Sequence, residues 1–346
     1  MKDITTVSFP GLGIGELNLN KVAFTLFDRI EVRWYGIIIT CGIILAFLYA
    51  FWRGKKYENV KSDDIIDVGI WTVILGVIGA RAYYVLTSLE HYNSFGEAIA
   101  IWNGGLAIYG GIIGGCIGIL LVCAWKKLSW RKLFDMIAPG VIIAQSLGRW
   151  GNFFNGEAYG YRIGETTHYY FFNNAYELPS GEGTFFHWIR MGLYEFGNWF
   201  YYHPTFLYES VWNLAGFILI NIFYKRKKFD GQIALMYFTW YGFGRMFIEG
   251  LRTDSLYIPG TTLRISQCVG LACFVIGGLL LLILSIAKRH SAPVLQTAGA
   301  AVAAPRAVED TAAPQKELSL WERLMEKSLK KHTKANRDEK SHESEE

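Results

Sequence analysis

Seven stretches of the chain are apolar over roughly the 20 residues that a helix needs to cross a bilayer, and polar segments separate them. They lie at 34–52, 65–86, 106–125, 136–154, 205–224, 232–248 and 265–287. The fourth and sixth are the least apolar, because each carries an arginine near one end (Arg149 and Arg245). The pattern predicts an all-α integral membrane protein of seven transmembrane helices. The segment between the fourth and fifth spans, 157–204, is long and rich in Tyr, Phe and Trp. Aromatic side chains of that kind favour the membrane–water interface, so it reads as a lid or small head lying on the surface.

Composition agrees with the pattern. Of 346 residues, 52% are hydrophobic, 16% aromatic and only 18% charged, less charge than a soluble domain of this length carries. The net charge of +4 is too small to point to nucleic acid, and the placement of the basic residues says more than their number. Arg53, Lys55, Lys56 and Lys61 follow the first span, Lys126, Lys127, Arg131 and Lys132 the third, Lys225 to Lys228 the fifth, and Lys288 with Arg289 the seventh. The intervening segment 87–105 has neither Lys nor Arg, and 157–204 has only Arg162 and Arg190. Basic loops face the cytoplasm, which puts the N-terminus outside and the C-terminus inside. Three regions follow: an external segment 1–33, a membrane domain 34–287, and a cytoplasmic tail 288–346. In the tail, 291–314 reads as an Ala/Pro/Val linker, 317–331 as an amphipathic helix, and the rest as disordered. No cleavable leader is expected, since the first 30 residues lack a basic start followed by an apolar run.

The five cysteines, Cys41, Cys116, Cys123, Cys268 and Cys273, all sit in apolar runs without metal-ligand spacing, so they read as core residues. Neither a metal nor another cofactor is expected. Chemistry is instead sought in charges placed where they are expensive: an Arg or Asp at mid-bilayer costs about 2.5–3.5 kcal/mol on the gentlest scale. Asp67, Arg81, Arg149, Glu157, Glu209, Arg245 and Glu249 qualify.

Residues 148–160, GRWGNFFNGEAYG, carry the strongest local signal. Arg149 and Asn152 share a helix face, Asn155 and Glu157 follow, and Gly151 and Gly156 allow close approach or a tight turn. A guanidinium at this depth suits a phosphate, which it grips with two parallel bonds; an Arg149–Glu157 ion pair closing a helix end is the equal alternative. Residues 244–254, GRMFIEGLRTD, set Arg245 and Glu249 four apart. They make either a structural ion pair or, with Arg149 at the same side of the membrane, a shared anion site. In 103–115, NGGLAIYGGIIGG, small residues permit close helix packing, and Tyr109 either packs or faces a cavity. His203 before Pro204 opens the fifth span, as a group titrating near neutral pH or a structural interface residue. Trp34 and Tyr35 open the first span as ordinary interface anchors, and Arg81 in the second is expected to hold a buried carboxylate.

Residues 148–160 resemble the signature of the prolipoprotein diacylglyceryl transferases. Supporting blocks at 33–36, 79–84, 103–114, 203–209 and 244–252 stand in that family's order, so the resemblance covers roughly 27–288. It implies a membrane enzyme that moves the diacylglyceryl group of phosphatidylglycerol onto the lipobox cysteine of a prolipoprotein. A thioether forms and glycerol phosphate leaves, at the outer face of the bacterial cytoplasmic membrane, in the first step of lipoprotein maturation. By the same resemblance Arg149 binds phosphatidylglycerol, and Asn152, Glu157, Arg245, Glu249 and Tyr35 occupy functional positions. Beside them, Asn155, Arg245 and His203 are expected to bind substrate. Tyr109 departs from the pattern: many relatives have a histidine there, considered a base for the thiol, and a phenol titrating near 10 is a poor substitute. The other reading is a lipid transporter or scramblase, which predicts charges at mid-depth and a repeat between halves. The sequence shows no such repeat.

Overall fold

Long helices fall where the apolar segments do. In the computed structural model, which describes residues 4–27, 30–92, 94–101 and 104–300, they are α1 (Trp34–Arg53), α2 (Ser62–Thr87), α4 (Ile108–Lys126), α5 (Trp130–Asn155), α7 (Thr205–Tyr224), α8 (Gln232–Ile248) and α9 (Ile265–Ala300). Two short helices, α3 (Phe95–Ile99) and α6 (Phe185–Ile189), lie between them. Among the described residues, five helices, α1, α2, α4, α7 and α9, are long and apolar enough to cross a membrane. The other two long ones fall short for physical reasons. α8 has 17 residues, and α5 carries Arg131, Lys132, Asp135, Gln145 and Arg149 along its 26. Helix α9 runs to Ala300, so the first ten residues of the expected linker are helical. The expected amphipathic helix at 317–331 and the rest of the tail lie outside the described residues, as does Asn103.

The all-α expectation is corrected by eight strands among the described residues: β1 (Ile4–Phe9), β2 (Ile14–Asn20), β3 (Val22–Leu26), β4 (Ile30–Arg33), β5 (Thr166–Phe171), β6 (Asn174–Pro179), β7 (Met191–Glu195) and β8 (Asn198–Tyr202). They form a four-stranded sheet in the order β2-β1-β7-β8 and two hairpins, β3-β4 and β5-β6. Thus β1, from the N-terminal segment, pairs antiparallel with β7 from 157–204 (Val7 opposite Leu193). Val7, Phe9, Met191 and Leu193 pack beneath the sheet against Phe153 at the end of α5 and Phe206 at the start of α7. A sheet that buries one face this way registers its residues against two helix ends.

Three contacts fix the helices. Between α2 and α4 a Cβ on Gly79 would run into the Gly110 carbonyl, and one on Gly110 into that of Gly79, so the backbones touch. Between α5 and α7, Ser146 Oγ donates to the Ser210 carbonyl at 2.8 Å and Ser210 Oγ donates to that of Ser146 at 2.9 Å. Between α7 and α8, Trp212 and Trp240 stack at 4.3 Å, each indole N–H donating to the other's carbonyl at 3.0 and 2.9 Å. At the opposite end of these helices, Asp135 of α5 accepts from the backbone N–H groups of Gly231 and Ala234 at 2.8 and 2.9 Å. It caps α8 from outside, where Gly231 offers no side chain.

Candidate active site

Glu209 organises the site. It stands in the second turn of α7, 1% exposed, and its two oxygens face different helices. Arg149, near the end of α5, donates to Oε1 at 2.6 Å, and Arg245, near the end of α8, donates to Oε2 at 2.8 Å. Arg245 also pairs with Glu249 at 2.6 Å, the i,i+4 contact that spacing predicts. Helix α8 stops at Ile248, a 3₁₀ turn follows over Glu249–Leu251, and Arg252 is extended. Its guanidinium reaches back to Glu249 at 3.9 Å and to Glu209 at 4.0 Å, while binding both oxygens of Asp254 at 2.9 and 2.7 Å. A buried carboxylate without partners would cost several kcal/mol, and here each is held by two or three guanidinium groups.

The signature residues wrap this cluster. Asn152 Oδ1 accepts from Arg149 at 3.4 Å, and its amide donates to Glu157 Oε1 at 3.2 Å, as does that of Asn155. Gly156 closes α5 at φ 62°, a left-handed cap that glycine adopts without strain. Gly151 admits the ring of Tyr35 from the first turn of α1. The alternative of an Arg149–Glu157 ion pair is therefore corrected: Arg149 turns inward to Glu209, and Glu157 stays exposed at the helix end with two amides. The segment beyond is stitched down by Tyr161 N–H donating to the Leu251 carbonyl at 2.8 Å and by an antiparallel bridge from Gly160 to Arg252.

Tyr109 joins indirectly. Its hydroxyl lies 3.2 Å from Ser266 Oγ, which accepts from Arg245 at 3.4 Å. His203 does not reach the cluster. It is 0% exposed, with Nε2 3.0 Å from Thr167 Oγ1 and Nδ1 3.2 Å from the Tyr208 hydroxyl. Burial pushes its pKa down to about 4, which favours the structural alternative over titration near neutral pH, and its two contacts leave neither ring nitrogen free for a ligand. Arg81 donates to the carbonyls of Glu97, Ala98, Gly104 and Gly105 at 2.6–3.0 Å, clamping the turn before α4 where a carboxylate partner was expected.

The sequence singled out Glu209 as a misplaced charge but gave it no role, and spacing missed its pairing with Arg149 and Arg245, along with Arg252, Ser266 and Tyr241, whose hydroxyl lies beside Arg149, Arg245 and Glu209. Three guanidinium groups meet two buried carboxylates, and the third carboxylate, Asp254, sits half-exposed at the rim on Arg252. Each guanidinium has five N–H donors, more than these contacts use. The arrangement can grip an anion with tetrahedral oxygens.

Fold and site together define a multi-pass helical membrane protein with a buried arginine–carboxylate cluster. The family model described as prolipoprotein diacylglyceryl transferase matches residues 21–283, and the chain belongs to that family. Among its relatives is the phosphatidylglycerol–prolipoprotein diacylglyceryl transferase of Lactobacillus delbrueckii subsp. bulgaricus, 45% identical over 258 residues, which cover 74% of this chain and 87% of the relative. The Limosilactobacillus reuteri enzyme of that name is 42% identical over 275 residues, 79% of this chain and 92% of the relative. Transferase 1 of Clostridium perfringens is 42% identical over 261 residues, 75% and 92%.

Proposed function

We propose that this protein transfers the diacylglyceryl group of phosphatidylglycerol to the lipobox cysteine of prolipoproteins, the first step of bacterial lipoprotein maturation. The observation that carries the reading is the double contact of Glu209, which brings Arg149 and Arg245 to one carboxylate and so to one another. Family membership supplies the donor and acceptor. In this reading α5 and α8 also cross the membrane, giving seven spans with the N-terminus outside. The cluster then faces the outer leaflet of the cytoplasmic membrane, and the aromatic head 157–204 lies on it.

The nucleophile is the substrate's own cysteine. A free thiol has a pKa of about 8.5, so part of it is thiolate at neutral pH, its proton lost to water. The thiolate attacks the glycerol carbon that bears the phosphate. A C–S bond forms, the C–O bond breaks with its electron pair leaving on oxygen, and glycerol phosphate departs as a dianion. Arg149 and Arg245 stabilise the charge that grows there. Glu209 and Glu249 hold the two guanidinium groups in position, and Asn152 orients Arg149. Tyr109 acts through Ser266 on Arg245 as a positioning residue, because a phenol is a poor base at neutral pH.

The test is lipidation of a lipobox peptide by membranes containing this protein, with phosphatidylglycerol as the sole phospholipid. A thioether-linked product and free glycerol phosphate are expected. Lipid movement across the bilayer with no thioether would favour the transporter reading instead.

A further inference from the structure

Beneath the arginine cluster, one helical turn below Arg149, Glu209 and Tyr241, the same three helices carry three polar residues. Gln145 lies four residues before Arg149 on α5, Asn213 four after Glu209 on α7, and Tyr237 four before Tyr241 on α8. The helices run antiparallel where Ser146 meets Ser210 and Trp212 meets Trp240, so these three steps descend in the same direction. Gln145 Nε2 donates to the Tyr237 hydroxyl at 3.1 Å, which ties α5 to α8.

Valences are left over at this level. Asn213 is 0% exposed, and neither its Nδ2 nor its Oδ1 has a hydrogen-bond partner among the described residues. Gln145 Oε1 is likewise buried and unpartnered among them. An unpaired buried amide costs about 1–3 kcal/mol per group, so two of them one turn under an ion cluster call for a ligand. The free groups are two acceptor oxygens and one NH₂, all uncharged. An ammonium would leave the NH₂ unmatched, and a phosphate would leave both oxygens unmatched. A hydroxyl, which donates and accepts, matches both.

We propose that Gln145 and Asn213 form the subsite for the headgroup glycerol of the donor lipid, binding its hydroxyls while Arg149 and Arg245 hold the phosphate. The reach fits: the three headgroup carbons extend from the phosphate by about one helical pitch, roughly 5 Å. This assignment rests on the phosphate-clamp reading. It makes the two amides specificity determinants, because a site built to bond a hydroxyl rejects an analogue that lacks it.

The test compares two donors in the full-length protein with a lipobox peptide. One is phosphatidylglycerol; the other is phosphatidylpropanol, which keeps the phosphate and its charge and loses both headgroup hydroxyls. Wild type should favour phosphatidylglycerol in kcat/KM by at least about tenfold, the scale of one lost buried hydrogen bond. In Asn213→Leu and Gln145→Leu that ratio should fall toward one, chiefly through KM for phosphatidylglycerol. Equal use of both donors by wild type overturns the proposal without any variant. So do variants that slow both donors in parallel, which makes the amides structural, or that leave the ratio intact, which makes the niche a site for water. Failure of the clamp reading would show separately, as Arg149→Ala turning over either donor at the wild-type rate.

Discussion

Arg149 donates to Glu209 at 2.6 Å across the α5–α7 interface, and the second oxygen of that carboxylate takes Arg245 of α8 at 2.8 Å. One side chain therefore stands between two guanidinium groups that would otherwise repel, and Glu249 supplies the second negative charge beside Arg245. Glu209→Gln leaves two cations facing an amide. Breaking a buried ion pair from one side costs about 3–5 kcal/mol, so this variant should unfold at a clearly lower temperature in detergent and lose most lipidation activity. A variant with unaltered thermal stability would mean that the two arginines do not depend on Glu209.

His203 gives the protein a stability that depends on pH. Burial holds its folded pKa near 4, against 6.5 for the exposed side chain. Between those values the unfolded chain binds the extra proton, so stability rises with pH across the window. It is complete above about pH 6.5 and is lost as pH falls toward 4. His203→Gln keeps a polar partner for Thr167 or Tyr208 without the titration. The melting temperature of this variant should fall less than that of wild type between pH 7 and pH 4.5.

Tyr109→Phe removes one neutral hydrogen bond to Ser266. A loss of about 2- to 10-fold in kcat/KM follows from a bond worth about 0.5–1.5 kcal/mol, with the pH–rate profile unmoved. A displaced profile would return Tyr109 to a role in proton transfer.

The glycine contact of α2 and α4 distinguishes neighbouring positions. A methyl on Gly110 meets the Gly79 backbone, whereas one on Gly111 would make an ordinary 3.6 Å contact with Ala80. Gly110→Ala should destabilise by about 1–3 kcal/mol. Gly111→Ala should be neutral or slightly stabilising, since alanine suits a helix better. Thermal unfolding of the two variants side by side measures the difference.

The helices were legible because their signal is local. The apolar runs beginning at 34, 205, 232 and 265 start where α1, α7, α8 and α9 do, and the last residues of α7 and α8 also coincide. Helical spacing likewise revealed Arg245 with Glu249. It could not reveal Glu209, which is 60 residues from Arg149 and 36 from Arg245, because no periodicity links three helices. Without that partner Glu157 was the nearest carboxylate to Arg149 in sequence, and the pairing fell on it. The strands were hidden for a related reason. β1 finds its partner β7 more than 180 residues away, and the aromatic pattern of β5 to β8 reads equally well as interface-seeking side chains.

In the proposed reaction Arg149 and Arg245 hold the phosphate while the carbon–oxygen bond breaks. The direct measurement is the single-turnover rate of Arg149→Ala with saturating phosphatidylglycerol and a lipobox peptide, in protein shown to be folded by its melting curve. Removing a donor aimed at developing charge costs about 10²–10³ in rate, and a loss of that size in the chemical step is the expected result. A variant that keeps the wild-type rate, with no more than a change in KM, would contradict the account.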